Sequence, residues 1–134
     1  MKIGIIIYSK TGNTYSVAEK ISASLIKAGN DVSIERIVAE RNDKSFPPVV
    51  NLIKTPRIET YDGIIFASFV EAFSLCPEME TYLKQLKSLK DKKIATFVTK
   101  GLPFLWTGGR NAINKIKKIC ETKNGTIDKT GIII

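Results

Sequence analysis

Histidine is absent from this 134-residue chain, and cysteine is scarce, with only Cys76 and Cys120. The first absence removes His-based catalytic triads and His–metal sites. Two cysteines neither build a disulfide framework nor show metal-ligand spacing. Such a chain suits a reducing compartment, and the cytoplasm is the expectation. No apolar run approaches the roughly 18–20 residues of a membrane-spanning helix, so no membrane partner is expected. The amino terminus enters an apolar strand almost at once, which predicts no secretory leader. Acidic residues are also short: 13 Asp and Glu face 21 Lys and Arg, for a net charge of +8. Only four of those cations are Arg. The lysines gather at Lys84, Lys87, Lys90, Lys92 and Lys93, and again at Lys115, Lys117, Lys118, Lys123 and Lys129. They read first as solvated helix faces; as function, they fit a docking surface for an acidic protein, with association that slows as salt rises. Nucleic acid is not the expected partner, because no recognition motif or interleaved aromatic platform accompanies the lysines.

What is present describes one ordinary globular domain, residues 1–134, with 43% hydrophobic residues and enough length for a real core. Five strand-like runs alternate with helical ones. The first strand spans about Lys2–Tyr8 and is apolar almost throughout, as a strand buried on both faces must be. Val17, Ile21, Leu25 and Ala28 then recur at helical spacing, and Gly29 suits a helix C-cap. The second run, Asp31–Ile37, alternates and reads as a half-exposed edge strand. Between 39 and 60 the pattern is weakest; Pro47, Pro48 and Pro56 leave room for at most a short helix around Val49–Ile53. Asp62–Ser68 is a third, central strand. Pro77 opens a helix with Met79, Tyr82, Leu83, Leu86 and Leu89 inward. Lys93–Thr99 is a fourth strand, and Gly108-Gly109 leads into a helix with Ala112, Ile113, Ile116, Ile119 and Cys120 inward. Thr126–Ile134 is the fifth. This order predicts an α/β, doubly wound, five-stranded parallel sheet with right-handed crossovers; an edge-like second strand and central first and third strands fit the order 2-1-3-4-5, whose ligand crevice lies above the carboxyl ends of strands one and three.

Chemistry concentrates in Tyr8-Ser9-Lys10-Thr11-Gly12-Asn13-Thr14, directly after Ile3-Gly4-Ile5-Ile6-Ile7. The segment lies between a strand's carboxyl end and a helix's amino end, where free N–H groups and the positive helix terminus favour an anion. Ser9, Thr11, Thr14 and the Asn13 amide offer donors to phosphate oxygens, and Gly12 lets the backbone approach closely. Such a cradle depends on neither a metal nor an invariant lysine. A plainer reading has Thr11 or Asn13 merely capping the helix. Ser9–Thr14 resembles the FMN phosphate loop of the flavodoxins, whose pattern is Ser/Thr-x-Thr-Gly-x-Thr in this position.

The resemblance implies FMN as cofactor, held by Ser9, Lys10, Thr11, Gly12, Asn13 and Thr14 at its phosphate and by two further loops at its ring. The loop after strand three, Ser68, Phe69, Val70, Glu71, Ala72 and Phe73, resembles the second flavodoxin loop loosely: Ala67-Ser68-Phe69 replaces the usual opening, and Glu71 stands where an aromatic is often found. Phe73 or Phe69 would then cover one ring face, unless either plugs the core. The loop after strand four offers Thr99, Lys100, Gly101, Phe104, Trp106, Gly108 and Gly109, and resembles a flavodoxin-like subgroup with a Thr-x-Gly-x-Pro-Phe-x-Trp-x-Gly-Gly run. Trp106 presents a stacking surface, or else anchors the loop on the neighbouring helix. A cation at Lys100 beside the pyrimidine edge would favour the reduced, anionic flavin.

The implied function is FMN-dependent electron transfer between cytoplasmic redox proteins, acidic ones given the charge, with no catalytic residue and no metal of the protein's own. Three departures bear on it. Flavodoxins are typically acidic; this chain is basic. Phe69–Leu75 holds no glycine, whereas flavodoxins keep one there whose peptide turns toward the flavin on one-electron reduction, so an NAD(P)H-dependent FMN or quinone reductase is the alternative. The last helix of the family also has no counterpart after strand five. A homodimer is the expected cover for the face so exposed, a partner protein the other. A flavin-free binding domain on the same fold is the second alternative. A receiver-type signalling domain is rejected, because Ser9 and Ser68 stand where it needs carboxylates. Cys76, at a helix start, would have a lowered pKa if exposed and is inert if buried.

Overall fold

The computed structural model describes residues 1–10, 12–71, 74–100 and 106–133, with the side chains of Trp106 and Thr107 outside the description. The elements run β1 (Lys2–Ile7), α1 (Asn13–Lys27), β2 (Asp31–Arg36), β3 (Val38–Asn42), β4 (Val49–Lys54), β5 (Gly63–Glu71), β6 (Ser74–Leu75), α2 (Pro77–Gln85), β7 (Lys93–Thr99), α3 (Trp106–Thr122) and β8 (Ile127–Ile133). Five strands pair in parallel in the order β2-β1-β5-β7-β8. This is the doubly wound order that the alternation predicts.

Its core follows from the period-two alternation of strand side chains. Ile5 and Ile7 of β1 join Ala67, Phe97 and Ala18 on the α1 side of the sheet. Ile6, Ile64, Phe66, Ile94 and Val98 point the other way, against Met79, Tyr82 and Leu83 of α2 and Ile116 and Cys120 of α3. Ile5, Ile6 and Ile7 are all essentially inaccessible. Each such side chain contributes about 1.5–3 kcal/mol relative to exposure, so a strand with three in succession belongs in the middle of the sheet. On the α1 side, Ile65, Ala95, Gly131 and Ile133 are only half-buried and line a shallow groove of about 230 Å³ with Ile21. Among the described residues, no helix is long and apolar enough to cross a membrane.

Four local expectations need correction. Residues 38–54 hold no helix: β3 and β4 form an antiparallel hairpin, a second small sheet. Val50 and Leu52 are half-buried, with Leu52 packed on the main core, and Pro47 and Pro48 lie between the strands, where a missing N–H breaks no ladder. β5 continues three residues past Ser68, because Ser68 and Phe69 still pair with Val98 and Thr99 of β7; Val70 and Glu71 then turn back onto Leu75 and Ser74. α2 stops at Gln85, and Leu86 and Leu89 are buried from the extended segment beyond it. Finally, Gly108 and Gly109 lie within α3 rather than before it, buried where that helix meets Ile132 of β8.

Gly4 marks a close approach. A β-carbon there would lie 2.6 Å from the Tyr61 ring, which is buried and hydrogen-bonded through its hydroxyl to Glu35. Gly4→Ala therefore forces the ring aside, and we expect about 1–3 kcal/mol of destabilisation in urea unfolding.

Candidate functional site

The carboxyl edge of β1 and β5 builds the site. Tyr8 is still tied to β5 through its N–H to the Ala67 carbonyl (3.1 Å). The chain then turns, and the Gly12 N–H donates to the Ser9 hydroxyl oxygen at 3.1 Å. Gly12 takes the left-handed conformation (φ 84°), which a residue with a β-carbon adopts reluctantly. From Asn13 the chain is helical, with the Ser16 N–H donating to the Gly12 carbonyl at 2.9 Å. No described side chain caps α1. Its first N–H groups therefore have no partner inside the helix, and the positive end of the helix faces outward beside exposed Gly12 and Asn13. Among the described residues, none beyond its chain neighbours lies within 4 Å of where a Gly12 β-carbon would stand. Backbone donors, an amide, a hydroxyl and open space are the chemistry a phosphate monoester requires.

Thr14 and Thr99, predicted in separate loops, meet. Their hydroxyls are 2.7 Å apart and buried, so the first turn of α1 is fastened to the end of β7. The chain continues into Lys100, whose N–H donates to the Ile133 carbonyl at 2.9 Å and which is only 8% exposed. Ser68 is not on a loop surface: it is fully buried, with its hydroxyl 2.9 Å from the Cys76 sulfur. Burial pushes the Cys76 thiol up to about 11, which makes it an interior group rather than an activated nucleophile. Thr11, Ala72, Phe73, Gly101, Phe104 and the Trp106 side chain lie outside the described residues.

Phe69, Val70 and Glu71 are strand residues rather than loop residues. Phe69 is half-buried, packs against the core, and lies 5.9 Å from the Tyr8 ring centroid with the planes tilted by 33°. Glu71 points at Arg41 of β3. Nη1 and Nη2 of Arg41 donate to the two Glu71 oxygens at 2.6 and 2.8 Å, while Nη2 and Nε donate to Glu78 at 2.6 and 3.0 Å. Glu78, in the first turn of α2, is buried and also accepts from the Tyr8 hydroxyl at 3.2 Å. Lys10 reaches the same cluster: its ammonium is 3.6 Å from Glu71 and 5.8 Å from the Phe69 ring centroid.

The electrostatic consequences are directional. Hydrogen bonds from Arg41 hold Glu71 below the usual carboxylate range, and the same bonds raise the guanidinium far above its ordinary value. Burial, aided by the Glu78 charge, pushes Tyr8 up to about 12. One guanidinium thus joins β3, β5 and α2 beside Lys10 of the Ser9–Thr14 loop. Sequence reasoning missed Arg41 because it lies in the segment with the weakest pattern. Its signal was compositional: where lysine is the default cation, an arginine marks a position that needs a planar fork.

With this geometry in hand, comparison with known proteins decides the family. Residues 4–132 match the family model described as the flavodoxin domain. The chain belongs to the flavodoxin family. Solved structures agree on the fold. A short-chain flavodoxin associated with a non-canonical PDU bacterial microcompartment superposes with a TM-score of 0.74 at 12% identity, covering 100% of this chain and 83% of that one. Oxidised flavodoxin 2 from Bacillus cereus gives 0.70 at 21% identity, over 100% and 84%. The Fusobacterium nucleatum flavodoxin bound to flavin mononucleotide gives 0.67 at 16% identity, over 95% and 68%. No curated protein matches the chain significantly. Within this flavodoxin domain, the loop at Ser9–Thr14 occupies the switch point at which the fold class binds ligands.

Removing the fork tests it. Arg41→Met leaves Glu78 buried without its cation, and about 3–5 kcal/mol of stability should be lost at pH 7. Because Glu71 titrates below its ordinary value of 4.5 in the folded state, its share of that stability is complete above the unfolded value. It disappears as the pH falls through the folded one. The gap between wild type and variant in urea unfolding should therefore narrow by Glu71's share as the pH is lowered below 5.

Proposed function

We propose that this flavodoxin-family protein binds FMN at the carboxyl edge of its sheet and carries electrons between redox proteins. The observation that carries the reading is the amino end of α1, which no described side chain caps and which opens behind a left-handed Gly12 with no described residue beyond its chain neighbours beside it, at the switch point of a flavodoxin fold. The phosphate would rest on the N–H groups of the first turn, the Asn13 amide and the Ser9 hydroxyl, with Thr11 completing the loop. The ring would lie between the segments that follow β5 and β7. FMN, when bound, supplies the reversible redox chemistry. This chain's part is to hold the phosphate, exclude water from the ring and set the surrounding charge. Glu71, Glu78, Arg41 and Lys10 together add no net charge at the rim, and Lys100 adds a cation at the end of β7.

The excess of lysine supports acidic redox partners. Lys87, Lys90, Lys117 and Lys118 are exposed, whereas Lys84 and Lys115 are instead paired with Glu80 at 3.0 and 2.6 Å. A second reading, as a reductase with its own turnover on a nicotinamide nucleotide or quinone, draws on the missing glycine in 69–75. Steady-state oxidation of NADH or NADPH separates the two.

The deciding experiment is titration of the protein with FMN, followed by quenching of flavin fluorescence, with riboflavin as the control. Tight FMN and weak riboflavin binding are expected; no binding of either removes the flavin reading. In the loaded protein, Lys100→Gln should lower the midpoint potential, because a buried cation favours the anionic reduced ring. An unchanged potential removes Lys100 from the tuning.

A further inference from the structure

Lys10 is the one cation of the phosphate loop, and it is already engaged. Its ammonium is 3.6 Å from Oε1 of Glu71 and its side chain is half exposed. Such exposed pairs are weak, and a lysine carries its charge on a flexible stem with freely rotating donors. Glu71 has no such freedom. Both of its oxygens are forked by Arg41, whose other contacts fix it on buried Glu78. A mobile cation on the loop therefore faces a fixed carboxylate across the crevice.

We propose that Lys10 adds to the selection of phosphorylated over unphosphorylated ligand at this loop, beyond what its backbone donors supply, and that Glu71 competes with the phosphate for it. The inference rests on the flavin reading above and adds a specificity determinant to it. A phosphate monoester brings up to two negative charges to within reach of Lys10 and also takes the N–H groups of α1. It therefore outbids a single carboxylate whose charge Arg41 already shares. Binding transfers the ammonium from Glu71 to the phosphate, and part of the attraction is offset by the contact given up. Arg41 is the positioning residue: by holding Glu71 still, it keeps the competitor in place.

The test compares dissociation constants for FMN and riboflavin in wild type, Glu71→Gln, Lys10→Gln, Lys10→Arg and the Lys10→Gln/Glu71→Gln double variant. Flavin-fluorescence quenching at one low salt concentration is the readout, with thermal melts confirming that each variant is folded. Glu71→Gln should bind FMN about three- to fivefold more tightly, the size of an exposed ion pair released. Lys10→Gln should bind it about tenfold more weakly, as for a lost hydrogen bond to a charged group. Riboflavin affinity should change in neither. Lys10→Arg should retain the selectivity, and the double variant should match Lys10→Gln. The proposal is overturned if Glu71→Gln leaves FMN affinity unchanged or weaker, if its gain persists without Lys10, if Lys10→Gln weakens both ligands equally, or if Lys10→Arg behaves as Lys10→Gln. Failure of the wild type to bind FMN overturns the flavin reading and this proposal together; binding by the wild type with any of the four other results overturns this proposal alone.

Discussion

Burial of β1 on both faces is the constraint from which the rest of the molecule follows. Ile5 and Ile7 need one apolar layer and Ile6 needs another, so β1 pairs on each side, with β2 and with β5. The chain leaving β1 crosses to β2 by way of α1 on one face. The chain leaving β5 reaches β7 by way of α2 on the other. Two connections that depart in opposite directions open a crevice at the carboxyl edge of the sheet. The amino end of α1 is delivered to that crevice whatever its sequence. What this sequence adds is a turn at Gly12 that leads into a helix which no described side chain caps.

The hairpin β3–β4 acts from outside this frame. It shares no strand with the main sheet, and it is fastened there by Leu52 in the core and by Arg41 at the rim. A buried ion pair is weak support for stability, since desolvation offsets much of the attraction. Its geometry specifies position instead. A guanidinium that must satisfy two carboxylates from β5 and α2 has one place to stand, and the end of β5 is correspondingly held. The fork thus makes the extended β5 and the short β6 a defined wall of the crevice.

How far the sequence discloses this depends on whether a residue's role is local. β7 was legible to the residue, because Lys93–Thr99 is rich in β-branched and aromatic residues and lies between polar turn residues and Gly101. α1 was equally plain from its spacing and from Gly29 after it. The turn from β1 into α1 was legible because a strand end, a glycine and a helical period are consecutive in the chain. The hairpin was not: Val50 and Leu52 alternate over too few residues, and three prolines nearby suppress any pattern. Nor was the length of β5, since Ser68 looks like the end of a strand until Cys76 and Val98 are seen beside it. Arg41 is the extreme case. Its partners lie 30 and 37 residues away, and no local period can encode a contact at that separation.

The same distinction explains why charge misleads in this chain when read as a sum. A net charge of +8 describes the surface as a whole, yet at the crevice rim opposite charges are paired at short range: Arg41 meets Glu71, Glu78 and Asp43, and Lys10 meets Glu71, within hydrogen-bond or ion-pair distance. Charges separated by more than a Debye length of about 8–10 Å are screened at ordinary ionic strength. The field of the lysines on the outer helix faces is therefore weak at the rim, where the short contacts among Arg41, Lys10, Glu71 and Glu78 set the local charge.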